Sequence, residues 1–182
     1  SSVSLEARMK EAIDGNDVEA VRQLIREGCS LSHTYEQGET ALHLAAGKRR
    51  AEICRILIAA GVDVQAQSSL RRSALHHLAG FVHLRDEAGD LVPTAELLLR
   101  SGCPPFSRDH SGATPWDQAM KTCFTVAGWA DDETVNDIIT NSIRFLNALL
   151  EHGGGDPNAI AEVLDRERYL THLMSEASDQ CC

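Results

Sequence analysis

A seven-residue pattern occurs three times along the chain, and its spacing limits the folds that the chain can adopt. The copies have the sequences TALHLAA at 40–46, SALHHLA at 73–79 and TPWDQAM at 114–120. The interval between the first two copies equals the interval between Gly28 and Gly61, each of which stands at the end of an apolar run. The third copy follows after a longer interval. Because two independent landmarks share one period, of about 33 residues, we expect a stack of similar structural units.

Each unit has the pattern of two short helices. A hydroxyl such as that of Thr40 can accept a backbone N–H at the start of the first helix, and Pro115 suits the first helical position. Apolar residues at helical spacing predict a buried stripe on the second helix, formed in one unit by Ile53, Leu57 and Ile58. Glycine ends each second helix, since it adopts the left-handed conformation at little cost. These glycines are Gly28, Gly61, Gly102 and Gly153. The sequence therefore predicts an all-α protein.

This pattern resembles the ankyrin repeat, in which a T-P-L-H-x-A signature and a pair of helices recur with a period of about 33 residues. The resemblance covers roughly residues 4–153 and implies a solenoid of stacked helix-turn-helix units joined by β-hairpin-like finger loops. The units are expected at about 4–35, 36–68, 69–109 and 110–153. Beyond them, Asp156 before Pro157 and an apolar periodicity predict a C-terminal capping helix at 156–176, with a tail at 177–182. Alternatively, this helix is an amphipathic element for a separate partner.

Three departures from the repeat have structural consequences. The third unit carries eight extra residues between its helices, within 80–92, and the fourth carries 18. The first helix of the fourth unit is therefore expected to run past Met120 toward Ala127, and the second to begin after the acidic residues 131–133. The finger at 65–72 has Arg71 where glycine is expected, which predicts a different loop conformation there.

The charge of the chain limits the class of partner. There are 17 basic and 27 acidic residues, a formal charge of −10, which argues against nucleic acid as a partner. No apolar stretch approaches the roughly 18 residues of a membrane-spanning helix, which argues against a membrane span. The segment 48–72 has six cationic and two acidic residues, whereas 127–182 has three cationic and eleven acidic residues. The basic segment predicts an acidic or phosphorylated partner for the middle of the binding groove.

Sequence patterns for catalysis, cofactors and metals are absent. There is no G-x-x-x-x-G-K loop, no H-E-x-x-H motif and no C-x-x-C pair. His43 and His76 lie in the repeat signature, where the resemblance implies hydrogen bonds between units, so pairing of Cys29 with His43 as a thiol hydrolase is disfavoured. His76 and His77 are adjacent on a helix and point to different faces, so they cannot both bind one metal ion. We predict no enzymatic activity, no cofactor and no metal site.

The cysteines and the C-terminus bear on location. Six cysteines without short-spaced pairs favour a reducing compartment, so we expect the cytoplasm, with the nucleus as the alternative. Cys181 and Cys182 resemble the twin-cysteine tails of Rab-type small GTPases, which carry two lipid chains. A peripheral membrane adaptor lipidated at this pair is therefore one alternative function. The acidic residues before the pair oppose an anionic membrane surface, so an unmodified pair is the preferred interpretation.

The fold implied by the resemblance is one that binds other proteins. We predict a non-catalytic, monomeric scaffold or adaptor that binds a protein or peptide through its finger loops and concave groove. A second alternative is a targeting fragment of a larger multidomain protein. By the resemblance, the binding positions flank the T-P-L-H signature, and aromatic, apolar and arginine side chains are expected to contribute most. The predicted binding residues are Tyr35, Glu36, Gln37, Glu39, Lys48, Ser69, Leu70, Arg71, Arg72, Phe81, Arg108, His110, Ser111 and Lys121.

Overall fold

The computed structural model describes residues 3–82, 90–127 and 132–152, and its helices follow one another in pairs. Within those ranges it contains α-helices, one short 3₁₀ turn at Glu36–Gly38 and no strand. The helices are α1 (Leu5–Asp14), α2 (Val18–Arg26), α3 (Ala41–Gly47), α4 (Ala51–Ala59), α5 (Ala74–Ala79), α6 (Leu91–Arg100), α7 (Pro115–Ala127) and α8 (Asp132–His152). The predicted all-α fold is confirmed.

Odd-numbered and even-numbered helices form two layers. The helices α1, α3, α5 and α7 pack side by side in an inner layer, and α2, α4, α6 and α8 form an outer layer. Each inner helix also packs against the outer helix that follows it. This arrangement of stacked helical pairs is the predicted ankyrin-repeat solenoid.

Hydroxyl residues start the inner helices as predicted. Thr40 caps α3, and its N–H donates to Nδ1 of His43, the third residue of the helix, at 3.0 Å. Ser73 and His76 make the same reciprocal pair at the start of α5. Two backbone groups that a helix start leaves unsatisfied are thus hydrogen-bonded in each case.

The fourth unit has longer helices than the others. Its first helix, α7, begins at Pro115 and runs to Ala127, as predicted. An aspartate takes the place of the capping histidine, since Asp117 Oδ2 accepts the N–H of Thr114 at 2.9 Å. The second helix, α8, begins at Asp132, inside the acidic run rather than after it.

Glycine ends the outer helices of the first three units. Gly28, Gly61 and Gly102 have φ angles of +87°, +92° and +96°. The residue after each glycine donates its N–H to a carbonyl five residues earlier, at 2.9–3.1 Å. These bonds satisfy carbonyls that the helix end leaves open, which is the predicted role of the glycines.

The core lies between the two layers and consists mainly of aliphatic side chains. In α4, Ile53 and Leu57 are fully buried as predicted, whereas Ile58 is only partly buried and Ile56 is buried in its place. Cys29 and Cys103 fill equivalent buried positions after the helix-ending glycines. These thiols act as small apolar side chains in the core.

Several predicted features lie outside the described residues. They are the C-terminal helix at 156–176, the tail at 177–182 with Cys181 and Cys182, residues 83–89 of the insertion, and Gly153. In the part of the chain that is described, no helix combines the length and the apolar character needed to cross a membrane.

Candidate protein-binding surface

Three finger loops connect the helical pairs and close through the same hydrogen bond. We define finger 1 as residues 35–39, finger 2 as 68–72 and finger 3 as 109–113. In each finger the N–H of the first residue donates to the carbonyl of the fifth, at 2.7, 3.0 and 2.9 Å. The fingers are therefore tight turns of equal length, in agreement with the predicted hairpin-like loops.

The fourth residue of each finger has a left-handed backbone. The φ angles are +71° at Gly38, +57° at Arg71 and +83° at Gly112. The prediction of a different conformation at Arg71 is wrong, because the N–H of this residue still donates to Ser68 at 2.8 Å and finger 2 closes like the others. In finger 1 the preceding residue, Gln37, also has a positive φ of +58°.

Backbone hydrogen bonds also join each finger to the next. The N–H of Ser69 donates to the carbonyl of Gln37 at 2.8 Å, and the N–H of His110 donates to that of Leu70 at 2.9 Å. Fingers 1 and 2 approach so closely that a Cβ on Gly38 would lie 2.7 Å from the Ser69 hydroxyl. The three tips are therefore held in a fixed register.

The two signature histidines tie each inner helix to the following finger. Nδ1 of His43 accepts the N–H of Thr40, so the ring proton lies on Nε2, which donates to the Arg72 carbonyl at 3.0 Å. His76 repeats this arrangement, and its Nε2 donates to the Ala113 carbonyl at 2.8 Å. Burial lowers the pKa of both imidazoles and outweighs the opposing effect of these backbone bonds.

A buried aspartate organises finger 3. Oδ1 of Asp109 accepts the N–H and the hydroxyl of Ser111 at 2.8 and 2.7 Å, and the N–H of Ala113 at 3.0 Å. Its Oδ2 lies 3.4 Å from Nε of Arg72 in finger 2. Burial raises the pKa of this carboxyl, but the bonds from Ser111, Ala113 and Arg72 together lower it to about 2. Asp109 is thus an ionised structural group, and sequence reasoning did not single it out.

A second histidine of α5 lies on the face of the inner helices. Nδ1 of His77 is 3.3 Å from a carboxylate oxygen of Glu39, and its ring contacts that of His43 edge-to-face at 4.9 Å between centroids. Burial, followed by His43, Arg72 and His76, lowers the pKa of His77 to about 3. The sequence did not predict that His77 pairs with Glu39. The repeat frame only shows that His77 occupies the position that Leu44 occupies in the preceding unit.

The predicted binding residues fall into two groups in the structure. The exposed group comprises Glu36, Gln37, Lys48, Ser69, Leu70, Arg71, Phe81, Arg108, His110, Ser111 and Lys121. Leu70 and Phe81 are each 41% exposed. The partly buried group comprises Tyr35, Glu39 and Arg72. Most of the exposed group lies on or beside the three fingers, so the structure brings these residues together along one edge.

The partly buried residues make bonds within the chain. The Tyr35 hydroxyl donates to the carbonyl of Glu6 in α1 at 2.9 Å, and burial raises its pKa to about 12. Burial also raises the pKa of Glu39, whose carboxylate faces His77. Arg72 joins finger 2 to finger 3 through Asp109. Each of them therefore has a structural role, and their contact with a partner stays a prediction.

The cations of the segment 48–72 do not form one basic surface. Arg49 is buried and donates to the carbonyl of Phe81. Arg50 donates to the carbonyl of Asp14 at 3.0 Å, and Lys48 lies 3.4 Å from the carboxylate of the same residue. The two arginines thus bond carbonyls at or just beyond the ends of inner helices in the neighbouring units, and Lys48 pairs with a side chain at one of these ends.

The remaining cations of this segment differ in their surroundings. Arg55 pairs with Glu52, and Arg72 with Asp109. Arg71, at the tip of finger 2, forms no ion pair with any other residue that the structure describes. Of the six cations, Arg71 is therefore the one best placed to meet an acidic group on a partner.

Three buried thiols are poorly suited to nucleophilic chemistry. Burial raises the pKa of Cys29 and Cys103, and it raises the pKa of Cys54 to about 12. Such thiols stay protonated at neutral pH, and the thiolate is the reactive form. Among the described residues, no group of three histidine, cysteine or acidic side chains could hold a metal ion.

Comparison with known proteins identifies the family. A model of ankyrin repeats matches residues 9–109 as three copies, more than half of the chain. The chain is 30% identical to the Neurogenic locus Notch protein of Drosophila melanogaster over 127 residues, 67% of this chain and 4% of that protein. It is 29% identical to the mitochondrial disaggregase of Bos taurus over 149 residues, 66% of this chain and 22% of that protein. It is 28% identical to human Neurogenic locus notch homolog protein 2 over 170 residues, 92% of this chain and 6% of that protein.

The chain thus spans less than a quarter of the length of each of these relatives. Ankyrin repeats are generally non-catalytic modules for protein–protein interaction. The match covers the signature segments at 40–46 and 73–79 together with fingers 1 and 2. This chain belongs to the ankyrin repeat family.

Proposed function

We propose that this chain is a non-catalytic scaffold or adaptor that binds a partner protein through its fingertips and the face of its inner helices. The observation that carries the proposal is the fixed register of the three fingers, which exposes Leu70 and Arg71 on a rigid edge. A surface that is already ordered loses little conformational entropy when it binds. The expected location is the cytoplasm or nucleus, and the expected solution state is a monomer.

The composition of this surface is typical of a protein interface. Leu70 and Phe81 are large apolar side chains that are exposed, and Leu70 stands between the exposed Ser69 and Arg71 in finger 2. Apolar anchors inside a polar rim contribute most of the binding energy in many interfaces. The side chain of Phe81 lies against α3, where a Cβ on Gly47 would be 3.3 Å from its ring. We infer that Leu70 and Phe81 are the main anchors.

An acidic group on the partner is supported by Arg71, whereas Arg108 already donates to the carbonyl of Gly112 in finger 3 at 2.9 Å. The segment 48–72 as a whole does not support an acidic partner, because Arg49, Arg50 and Lys48 bond to other residues of the chain. Replacing Arg49 or Arg72 would disturb the fold, so these residues are unsuitable for testing electrostatic binding. Arg71→Glu is the appropriate variant.

Affinity capture followed by mass spectrometry tests the proposal. The full chain, Leu70→Asp and Arg26→Glu serve as baits in the same cell extract, and Arg26 is an exposed control on the outer helix α2. We expect a set of proteins that binds the full chain and the control but is lost with Leu70→Asp. Identical sets for all three baits would contradict binding through the fingers.

We also propose that the chain works as the targeting segment of a larger protein. The relatives that it matches are several times longer than the aligned segment, which supports this proposal. An antibody raised against residues 3–82 would measure the size of the protein in its native cell. A band much larger than the 19.8 kDa of this chain is expected. A band at the mass of this chain alone would contradict the proposal.

A further inference from the structure

We propose that fingers 1 and 2 recognise an extended peptide segment that places a basic side chain on finger 1 and an apolar and an acidic side chain on finger 2. The inference rests on the proposed function and specifies the chemistry of the partner at the same surface. It derives from the charges of the tips and from the hydrogen bonds that fix them.

Recognition at the tips is expected to depend on side chains more than on the backbone. The carbonyls of Gln37 and Leu70 already accept N–H groups from the neighbouring finger. The N–H groups of Ser69 and His110 are used in the same bonds. A partner strand therefore cannot pair with these four backbone groups, which favours recognition through side chains.

The exposed side chains change in character along the row of fingers. Finger 1 presents Glu36, whose carboxylate forms no ion pair with another residue in the described ranges. Finger 2 presents Leu70, 41% exposed, and beside it Arg71, which is likewise outside the ion pairs found there. Finger 3 presents His110. The tips thus present an acidic group on finger 1 and, on finger 2, an apolar group beside a basic one.

A complementary segment has the opposite order of charges. A basic side chain would meet Glu36, an apolar one would pack on Leu70, and an acidic one would meet Arg71. Charge complementarity of this kind mainly determines specificity and association rate, and the apolar contact supplies affinity. The direction of the charges also distinguishes this partner from a uniformly acidic peptide.

The spacing of the fingers sets the spacing of the peptide residues. Each finger contributes two chain segments about 4.8 Å apart, so neighbouring fingertips are roughly 10 Å apart. An extended peptide advances about 3.3 Å per residue and crosses one finger in about three residues. The basic residue is therefore expected about three positions from the apolar one. The acidic residue is expected close to the apolar one, because Leu70 and Arg71 belong to the same finger.

Selection from a displayed library of random 12-residue peptides tests the inference. The full chain is the bait, and the expected result is a consensus of a basic, an apolar and an acidic residue at these spacings. The variant Glu36→Lys/Arg71→Glu reverses the charges of the tips and should select the reverse order of charges. Leu70→Ser should lose the apolar position. The control Glu19→Lys/Arg26→Glu makes the same reversal on the exposed face of α2 and should select the original consensus.

A synthetic peptide with the consensus measures the effect directly. Its dissociation constant, from fluorescence anisotropy at low salt, should rise roughly tenfold for Glu36→Lys or Arg71→Glu. The increase should be smaller at high salt, because exposed charges are screened. Circular dichroism checks that each variant is folded, which is expected because Glu36 and Arg71 are both exposed.

The outcomes separate this inference from the proposed function. A consensus that does not change when the tip charges are reversed overturns the inference. So does a library that yields no binding peptide while proteins are still captured in a manner that depends on Leu70. If neither peptides nor proteins depend on Leu70, the proposed function fails as well.

Discussion

At the scale of single residues, Gly38 is the place where finger 1 has no room for a side chain. Its φ is +71°, and a Cβ would lie 2.7 Å from the Ser69 hydroxyl and 3.0 Å from the Ser69 nitrogen. We expect Gly38→Ala to lower the free energy of unfolding by about 2 kcal/mol, because the left-handed backbone is unfavourable and finger 2 must move. Urea unfolding followed by circular dichroism measures the loss.

Gly28→Ala is the matched control for this effect. Gly28 also has a positive φ, +87°, but no atom lies within 4 Å of the position its Cβ would occupy. The expected loss is therefore smaller, about 1 kcal/mol, and comes from the backbone conformation alone. Equal losses in the two variants would show that the contact between fingers 1 and 2 contributes nothing.

Arg71 has a long side chain at the finger position that is glycine in fingers 1 and 3. Its φ is +57°, in the region that L-residues adopt at a cost of roughly 1–2 kcal/mol. Arg71→Gly should raise the free energy of unfolding by about 1 kcal/mol, since the gain exceeds the added entropy of the unfolded chain. Arg71→Lys retains the unfavourable conformation and should leave stability unchanged. A loss of stability in Arg71→Gly would mean that the arginine side chain itself stabilises the finger.

At the scale of one element, finger 3 depends on a single carboxylate. Asp109 accepts bonds from Ser111 and Ala113 and contacts Arg72, and its pKa is lowered to about 2. A lowered carboxyl pKa stabilises the fold above the unfolded value of about 3.9, and this contribution is lost as the pH falls toward 2. Asp109→Asn should therefore lower stability by about 2 kcal/mol at pH 7.

The pH dependence of Asp109→Asn checks that charge is the cause. The asparagine keeps one oxygen acceptor but has no ionised group. The difference in the free energy of unfolding between the variant and the parent chain should therefore decrease between pH 4 and pH 2. Chemical unfolding at pH 7 and pH 3 measures both differences. A difference that is the same at both pH values would assign the effect to packing rather than to the charge of Asp109.

At the scale of the whole molecule, neutral histidines hold the units together. His43 and His76 bridge successive units, and His77 contacts the ring of His43 and the carboxylate of Glu39. Burial lowers the pKa of all three, that of His77 to about 3. The unfolded chain then binds more protons than the folded one below about pH 6.5, so stability falls as the pH drops below that value.

His77 provides a quantitative test of this acid sensitivity. Its lowered pKa corresponds to a decrease of about 2 kcal/mol in the free energy of unfolding between pH 7.5 and pH 5. His77→Gln should therefore lose less stability over that interval than the parent chain, whatever its stability at pH 7.5. Urea midpoints at the two pH values give the comparison. An unchanged pH dependence in His77→Gln would place the titration elsewhere.

The fold could be predicted from the sequence because the residues that start and end each helix act locally. Thr40 and His43 lie on one helix turn, and Gly28 and Gly61 act on the helix that immediately precedes them. Such signals need no knowledge of the rest of the chain, and their recurrence at a regular interval revealed the stack. Ile58 shows the limit, since the position of a helix face within a core depends on its neighbours, and Ile56 is buried instead.

The binding surface could be predicted from the sequence only in part. The exposed tips at Leu70 and Arg71 follow from the repeat frame, yet the frame does not reveal that Tyr35 and Arg72 bond within the chain. The segment 48–72 is the clearest example, because the sequence does not distinguish the surroundings of its six cations. In the structure Arg49 and Arg50 satisfy carbonyls in the units on either side, and Arg71 does not.

By itself, the sequence determined the helical pairs and their caps, because hydrogen bonds within a few residues decide where a helix starts and stops. The tertiary structure decided which side chains are left for a partner. It also decided that Arg71 adopts the glycine conformation, that Asp109 and His77 are held in one charge state, and that the three tips are locked together. These properties arise from burial and from atoms that only stacking brings within hydrogen-bond distance, and no local pattern along the chain records them.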